Sequence, residues 1–460
     1  MEMKETGLTN AAEDLSYEPA KAYRKLDPER TESYCLEYRA FMDASKTERD
    51  AVENAVRMAE EAGFRPYEPG GTLSPGDRLY FVNRAKSLML AVIGKNGAEN
   101  GFRIVASHID SPRLDLKPLP LEENSGIAYF KTHYYGGLKK YQWSALPLAL
   151  HGVVCHADGT KTTVSLGESP DEPVLYISDL MPHIARDQMA KASSDILPGE
   201  SLSPIVGLHE DETGGVKGRI LRLLNGKYGM KEQDFLMSEL HLVPAEKSRE
   251  VGFDRSMICA YGQDDKVCAF AALLALLRSE TPEQTAVVFL ADKEEIGSQG
   301  VTGLRSEAYA GFLRDLCADL KVNDRKAFRA SVCISADVGG AYDPHFADAY
   351  EAQNSCRLGN GVTISKYTGS RGKSGCSDAT AEMMQWTIRM MEEGGIPWQT
   401  GEYGKVDQGG AGTVAVDIAK FGIDVIDVGV PLLSMHAPME LAAKCDIYAM
   451  YLFCEKFFQM

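Results

Sequence analysis

From residue 255 onward the chain alternates between short apolar runs and segments of helical period, and this alternation restricts the fold more than any other feature. Asp264 to Ser279 reads as a helix, Gln284 to Asp292 as an apolar strand, and about 306–320 as a helix. A strand at Ala330–Ala336, a helix at about 377–393, a strand at Val425–Val430 and a terminal helix from about 438 come next. Strand and helix in turn require a mostly parallel sheet covered by helices on both faces. Upstream, Thr31 and Thr47 mark helix starts and Gly63 a stop, so residues 31–63 read as two amphipathic helices. LYFVNR, SLMLAVIG and FRIVASHID, between 79 and 110, read as strands. The stretch of about 115–249 is rich in Gly, Pro, His and β-branched residues, with few long helical patterns. The expected architecture is an α/β domain built from residues 1–114 and 250–460, interrupted by a β-rich insert at 115–249.

Charge and composition narrow the function. The 460 residues carry a formal net charge of −17, which argues against a nucleic-acid binder and against attraction to an anionic membrane. The N-terminal MEMKETGLTNAAEDLSYEPA has no apolar core of a signal peptide. No run reaches the ~18 apolar residues of a membrane span. Ten cysteines without a CxxC pair suit buried thiols in a reducing cytoplasm.

In an open α/β sheet, ligands gather beyond the carboxyl ends of the strands. His108 and Asp110 follow FRIVAS, and Asp292, Glu294 and Glu295 follow VVFLA. Asp337 follows SVCISA, and His436 follows VIDVGVPLLS. Asp264 and Asp265 stand where the central helix begins. Each alone has an ordinary structural explanation, as a cap, a turn or a hydrogen-bonded His. Their coincidence points to one shared site. Imidazoles with several carboxylates suit divalent metals, zinc among them, and a spare carboxylate can act as base toward water. Neither HExxH nor GxSxG is present, which disfavours the single-zinc helix motif and the nucleophile elbow.

Seven segments in order carry a family resemblance: ASHIDSPRLDLKP (106–118), THYYGGLKKYQW (132–143), YGQDDKVCAFA (261–271), DKEEIGSQG (292–300), SADVGGAYDP (335–344), KYTGSRGKSGCSDA (366–379) and MHAPME (435–440). The chain resembles the family of aspartyl aminopeptidase and vacuolar aminopeptidase I, most closely its bacterial members. The resemblance implies a di-zinc aminopeptidase domain interrupted by a β-rich dimerisation domain, with two zinc ions per chain and assembly into tetrahedral dodecamers. It implies that His108 holds one zinc, Asp264 bridges both, Glu295 and Asp337 complete opposite metals, and His436 holds the second. Glu294 would be the general base and Asp110 the carboxylate orienting His108.

Two departures from the family pattern bear on specificity. Asp337 is followed by Val338-Gly339-Gly340-Ala341-Tyr342, where the acidic-substrate enzymes carry a His-rich stretch. The lysine expected to read an N-terminal Asp or Glu side chain is matched by position to Lys373, with Lys366 as rival. His183 in the insert would either reach a neighbouring subunit's site or be satisfied within its own domain. Gly409, Gly410 and Gly412 read as a close-packed turn near the site. The expected activity is removal of the N-terminal residue from peptides, with acidic preference or a broad, leucyl-type preference. A deacylase or carboxypeptidase-like enzyme on the same scaffold, and a non-catalytic assembly protein, are the remaining alternatives.

Overall fold

The apolar runs of the α/β portion pair into one nine-stranded sheet. Its order is Arg65–Pro66, Arg78–Asn83, Ser87–Val92, Thr285–Ala291, Phe102–His108, Val332–Ala336, Asp424–Gly429, Val362–Ser365 and Trp398–Thr400. The middle four strands, from Thr285–Ala291 to Asp424–Gly429, run parallel. Ser87–Val92 and Val362–Ser365 join them antiparallel on either side. Strands covered on both faces need continuous apolar sequence, and Ser87–Val92 and Thr285–Ala291 are buried at every position. The computed structural model describes residues 16–460, so most of the N-terminal stretch considered for a signal peptide lies outside the described residues.

Helices Pro28–Ala44, Glu48–Glu61, Gln263–Arg278, Ala381–Glu393 and Lys444–Phe458 cover one face of the sheet. Glu307–Asp319, Asp324–Ala330 and Ala415–Ala419 cover the other. A helix apolar on all sides must lie inside, and Gln263–Arg278 is buried from Gln263 to Leu277. Its Phe270 packs on Phe41 with ring centroids 5.0 Å apart. Three helix starts differ from the sequence expectation, one of them at Ala381 behind a Thr380 cap and not at about 377. The first long helix begins at Pro28 behind an Asp27 cap, not at Thr31, because proline is preorganised for the first helical position. The terminal helix begins at Lys444, not about 438, because Glu440–Ala443 is a strand paired with Met257–Ala260 and Pro431–Leu433. Those three strands belong to a five-stranded sheet that also takes in Arg249–Val251 and Gly339–Gly340.

A third sheet, of seven strands, spans Arg113 to Pro244. Ser238–Pro244 pairs with both Arg113–Asn124 and Pro147–Cys155, which closes the sheet on itself. Leu114, Phe130, Trp143, Leu150 and Leu242 fill its core. Helix Gly215–Tyr228 lies in the same stretch, where few helical patterns were expected.

Charged groups are buried where this sheet meets the helix Glu48–Glu61. Arg113 Nη1 lies 2.9 Å from Glu48 Oε2, and Lys86 Nζ lies 3.0 Å from Glu48 Oε1. His151 lies 3.1 Å from Asp50 Oδ2 and 2.8 Å from Glu168 Oε1. Burial opposes the His151 charge, but these two carboxylates outweigh it and push its pKa up from 6.5 to about 9. A raised folded pKa stabilises the protein when the imidazole is protonated. The contribution is therefore full below pH 6.5, declines toward pH 9 and is absent above it. The melting-temperature gap between wild type and His151→Gln is expected to close across that window. A gap that stays constant from pH 6 to 10 would mean that folding does not shift the His151 pKa.

Among the described residues no helix is long and apolar enough to cross a membrane. All ten cysteines are free.

Candidate metal centre

The carboxyl ends of the parallel strands meet the N-terminal end of the buried central helix. His108 closes the strand Phe102–His108, and Asp337 directly follows Val332–Ala336. Glu294 and Glu295 form a short 3₁₀ turn after Thr285–Ala291. Asp264 lies at the head of Gln263–Arg278, where its backbone is not helical and Gly262, not Asp264, is the cap residue. His436 lies in the turn between the strands Pro431–Leu433 and Glu440–Ala443.

These positions bring the five expected ligands into two triads that share one residue. His108, Asp264 and Asp337 form one, and Asp264, Glu295 and His436 the other. His108 Nε2 lies 3.2 Å from Asp264 Oδ1 and 3.9 Å from Asp337 Oδ1. His436 Nε2 lies 3.0 Å from Asp264 Oδ2 and 3.4 Å from Glu295 Oε2. Asp264 thus presents one oxygen to each imidazole. Both rings are held from behind. His108 Nδ1 faces the Asp110 carbonyl at 3.1 Å and Asp110 Oδ1 at 3.3 Å, and His436 Nδ1 donates to Gly137 O at 2.7 Å. A proton on each Nδ1 leaves an Nε2 lone pair aimed into the site.

The donor set fits divalent metal ions. Glu295 Oε1 is buried without a hydrogen-bond partner. Burial, with the charges of Asp265 and Asp264, pushes the Asp337 carboxyl well above its usual range. Burial and the Asp264 charge do the same to Glu295. Buried carboxylates crowded around two imidazole lone pairs are short of positive charge, which bound cations supply. Glu294 belongs to neither triad. Burial, with Asp110 and Asp264 adding and His108 opposing, sets its pKa up at about 7.

Asp110 ties the Glu294–Glu295 turn to the first imidazole. Its Oδ1 accepts from Glu294 N at 3.1 Å and its Oδ2 from Glu295 N at 3.2 Å. Sequence reasoning missed Glu440, a fully buried carboxylate that accepts from Asp264 N at 3.0 Å and His436 N at 2.7 Å. It also assigned no role to Asp265, which accepts from Ser107 Oγ and from His108 N. The only available signal for Glu440 was its place at the end of MHAPME.

The two candidate specificity lysines lie together on an exposed loop. Lys366 Nζ is 2.9 Å from Asp378 Oδ1, and Lys373 Nζ is 3.2 Å from Asp378 Oδ2 and 3.9 Å from the Tyr367 ring centroid. Neither contacts the triads. Of the three glycines expected to form a close-packed turn, Gly410 packs under this loop, where a β-carbon would fall 1.9 Å from the Gly369 carbonyl oxygen. Gly409 packs against the Tyr403 carbonyl, but a β-carbon at Gly412 would meet nothing within 4 Å. His183 lies on an exposed 3₁₀ turn, Pro182–Ile184, with no link to either triad among the described residues.

An α/β scaffold with paired donor triads at its strand ends is that of a metal-dependent hydrolase. Residues 41–458 match the family described as Aminopeptidase I zinc metalloprotease (M18), and the chain belongs to that family. It is a zinc-dependent aminopeptidase, a hydrolase of peptide bonds, which sets aside the deacylase and the non-catalytic alternatives. A probable M18 family aminopeptidase 1 of Clostridium acetobutylicum is 44% identical over 450 residues, covering 95% of this chain and 97% of that one. The structure of an M18-family aminopeptidase from Thermotoga maritima matches with a TM-score of 0.93 at 40% identity, covering 96% of this chain and all of that one. The mApe1 dodecamer of S. cerevisiae is similar in fold alone, with a TM-score of 0.77 at 20% identity, over 94% of this chain and 97% of that one.

Proposed function

We propose that the chain removes the N-terminal residue of peptides at a centre of two zinc ions, with preference for N-terminal Asp or Glu. One observation carries the two-ion reading: Asp264 faces His108 with one carboxylate oxygen and His436 with the other. In this reading His108 and Asp337 would hold one ion, Glu295 and His436 the other, and Asp264 both. Bound zinc supplies Lewis acidity toward the attacking water and the scissile carbonyl. Glu294 accepts the proton of the attacking water and passes it to the leaving amine. Asp110 keeps the Glu294 backbone and the His108 ring in register for that transfer. The metal content of purified protein tests the ion count: two zinc ions per chain are expected, and one would reject the shared role of Asp264.

The acidic preference rests on charge. Lys366 and Lys373 share the single carboxylate of Asp378, and with Arg371 between them the loop carries two positive charges in excess. If Lys373 reads the side chain, Lys373→Met should lower kcat/KM for Asp and Glu substrates about 10²-fold, the scale of a poorly solvated charge pair. Leucyl substrates should be nearly unaffected. Lys366→Met tests the rival. If both variants match wild type on aspartyl, glutamyl and leucyl nitroanilides, the enzyme is a broad, leucyl-type aminopeptidase.

The insert is read as the dimerisation domain of a homo-oligomer, a tetrahedral dodecamer in the fullest form. Tyr176, Leu180, Met181, Ile184 and Met189 of the insert are all exposed apolar side chains that an interface would cover. His183, on the exposed turn beside Met181 and Ile184, would face a neighbouring copy's site. Light scattering should give a mass about twelve times the 50.3 kDa chain. A monomer at micromolar concentration would reject the assembly. Ten free cysteines support a cytoplasmic location.

A further inference from the structure

The segment THYYGGLKKYQW contributes more than aromatic surface. Its Tyr135-Gly136-Gly137 stretch ends the strand Ile127–Tyr135 and meets the metal centre at three points. Tyr135 Oη donates to Asp110 Oδ2 at 2.8 Å. That carboxylate in turn accepts from the Glu294 and Glu295 backbone and faces His108 Nδ1. Gly137 O accepts from His436 Nδ1 at 2.7 Å. Between the two, Gly136 has φ +75°, and a β-carbon there would stand 3.3 Å from both Cβ and Oε2 of Glu295. A side chain at Gly136 would therefore meet both a strained backbone and a ligand.

Tyr135 is itself braced from behind. The Arg113 guanidinium lies 4.0 Å from its ring centroid, and Arg113 is held by Glu48 at 2.9 Å and Asp115 at 2.8 Å. Tyr135, Arg113, Asp110 and Glu48 are all buried. A buried cation stacked on an aromatic face is a stiff contact, and here it is anchored on the helix Glu48–Glu61. A tyrosine retained only to fill the core would place its hydroxyl at any available carbonyl. This one places it on the carboxylate that holds the base loop.

We propose that Tyr135-Gly136-Gly137 is a positioning element of the catalytic centre. The phenol fixes Asp110, and through it the His108 ring and the Glu294–Glu295 turn. The Gly137 carbonyl fixes the His436 ring, and Gly136 lets the chain pass close to Glu295. The insert then sets the geometry of hydrolysis as well as any role it has in assembly. The inference rests on the proposed roles of Asp110 and Glu294.

Tyr135→Phe keeps the ring over Arg113 and removes only the donor. Its kcat should fall about 10-fold or more with KM little changed, and zinc should pass to a competing chelator at about 10-fold lower chelator concentration. Secondary structure and particle mass should match wild type. Asp110→Asn alone tests the underlying reading: if it keeps wild-type kcat, the role of Asp110 fails whatever Tyr135 does. If Asp110→Asn is impaired and Tyr135→Phe is not, the positioning role is overturned. In the double variant the two losses should not add, because both act through one carboxylate. Additive losses would overturn the proposal as well. Gly136→Ala, which leaves every side chain of the insert in place, should weaken zinc retention about 10-fold, and wild-type retention would refute the Gly136 contact.

Discussion

Glu294→Gln is expected to keep its zinc and to lose ~10²–10⁴ of kcat, the usual worth of a general base. The substitution preserves size and removes only the proton acceptor. Glu294 stands outside both triads, so metal binding has no reason to change. Its backbone N–H remains on Asp110 at 3.1 Å, and the turn around it is shaped by left-handed residues at Lys293 and Gly297, so the loop should hold its course. An interaction made only in the transition state lowers kcat and kcat/KM together, so KM should hardly move. Steady-state kinetics alongside zinc analysis decide the matter. Loss of zinc with the rate per bound ion preserved would make Glu294 a ligand and hand the base role to Glu295.

The second large effect is expected at Asp264. Removing it in Asp264→Ala takes one oxygen from each triad at once, so both zinc ions should be lost. His436→Ala, by contrast, should cost one. Zinc contributes several kcal/mol of transition-state stabilisation to such hydrolysis, so the rate should fall roughly 10³-fold or more. Zinc counting by plasma emission on both variants separates a shared carboxylate from a ligand of one ion. If Asp264→Ala keeps one zinc as firmly as wild type, Asp264 serves a single ion.

Much of this centre was legible because His108, Glu295 and Asp337 each follow a mostly apolar run. Such runs mark strands covered on both faces, and their carboxyl ends are where an α/β sheet exposes its sites. His108, Glu295 and Asp337 could be picked out on that ground; His436 was chosen in the same way but lies in a turn of the five-stranded sheet, and the structure draws all four together around Asp264. Glu440 was not legible. It acts by accepting backbone N–H groups from residues on other turns and elements, and no local pattern marks such a role. The strand Glu440–Ala443 was misread for a related reason: its residues are as helical in propensity as those of the terminal helix, and pairing with Met257–Ala260 and Pro431–Leu433 makes it extended. Tyr135 and Gly137 lie in a segment the sequence singled out, but their role at the centre was not legible because their partners, Asp110 and His436, lie on other elements. The two lysines could not be separated from sequence, and Asp378 binds both.

The small five-stranded sheet has a consequence for when proteolysis can begin. It ties the residues just before Asp264 to the strand that carries Glu440, and the glycines after Asp337 to the strand just before His436. The centre as a whole therefore waits on segments near residue 440. A chain emerging from the ribosome with its insert already folded would still lack His436, Glu440 and the strand that aligns Asp264. The arrangement of donors described here is therefore assembled only once the segment that carries His436 and Glu440 has been made.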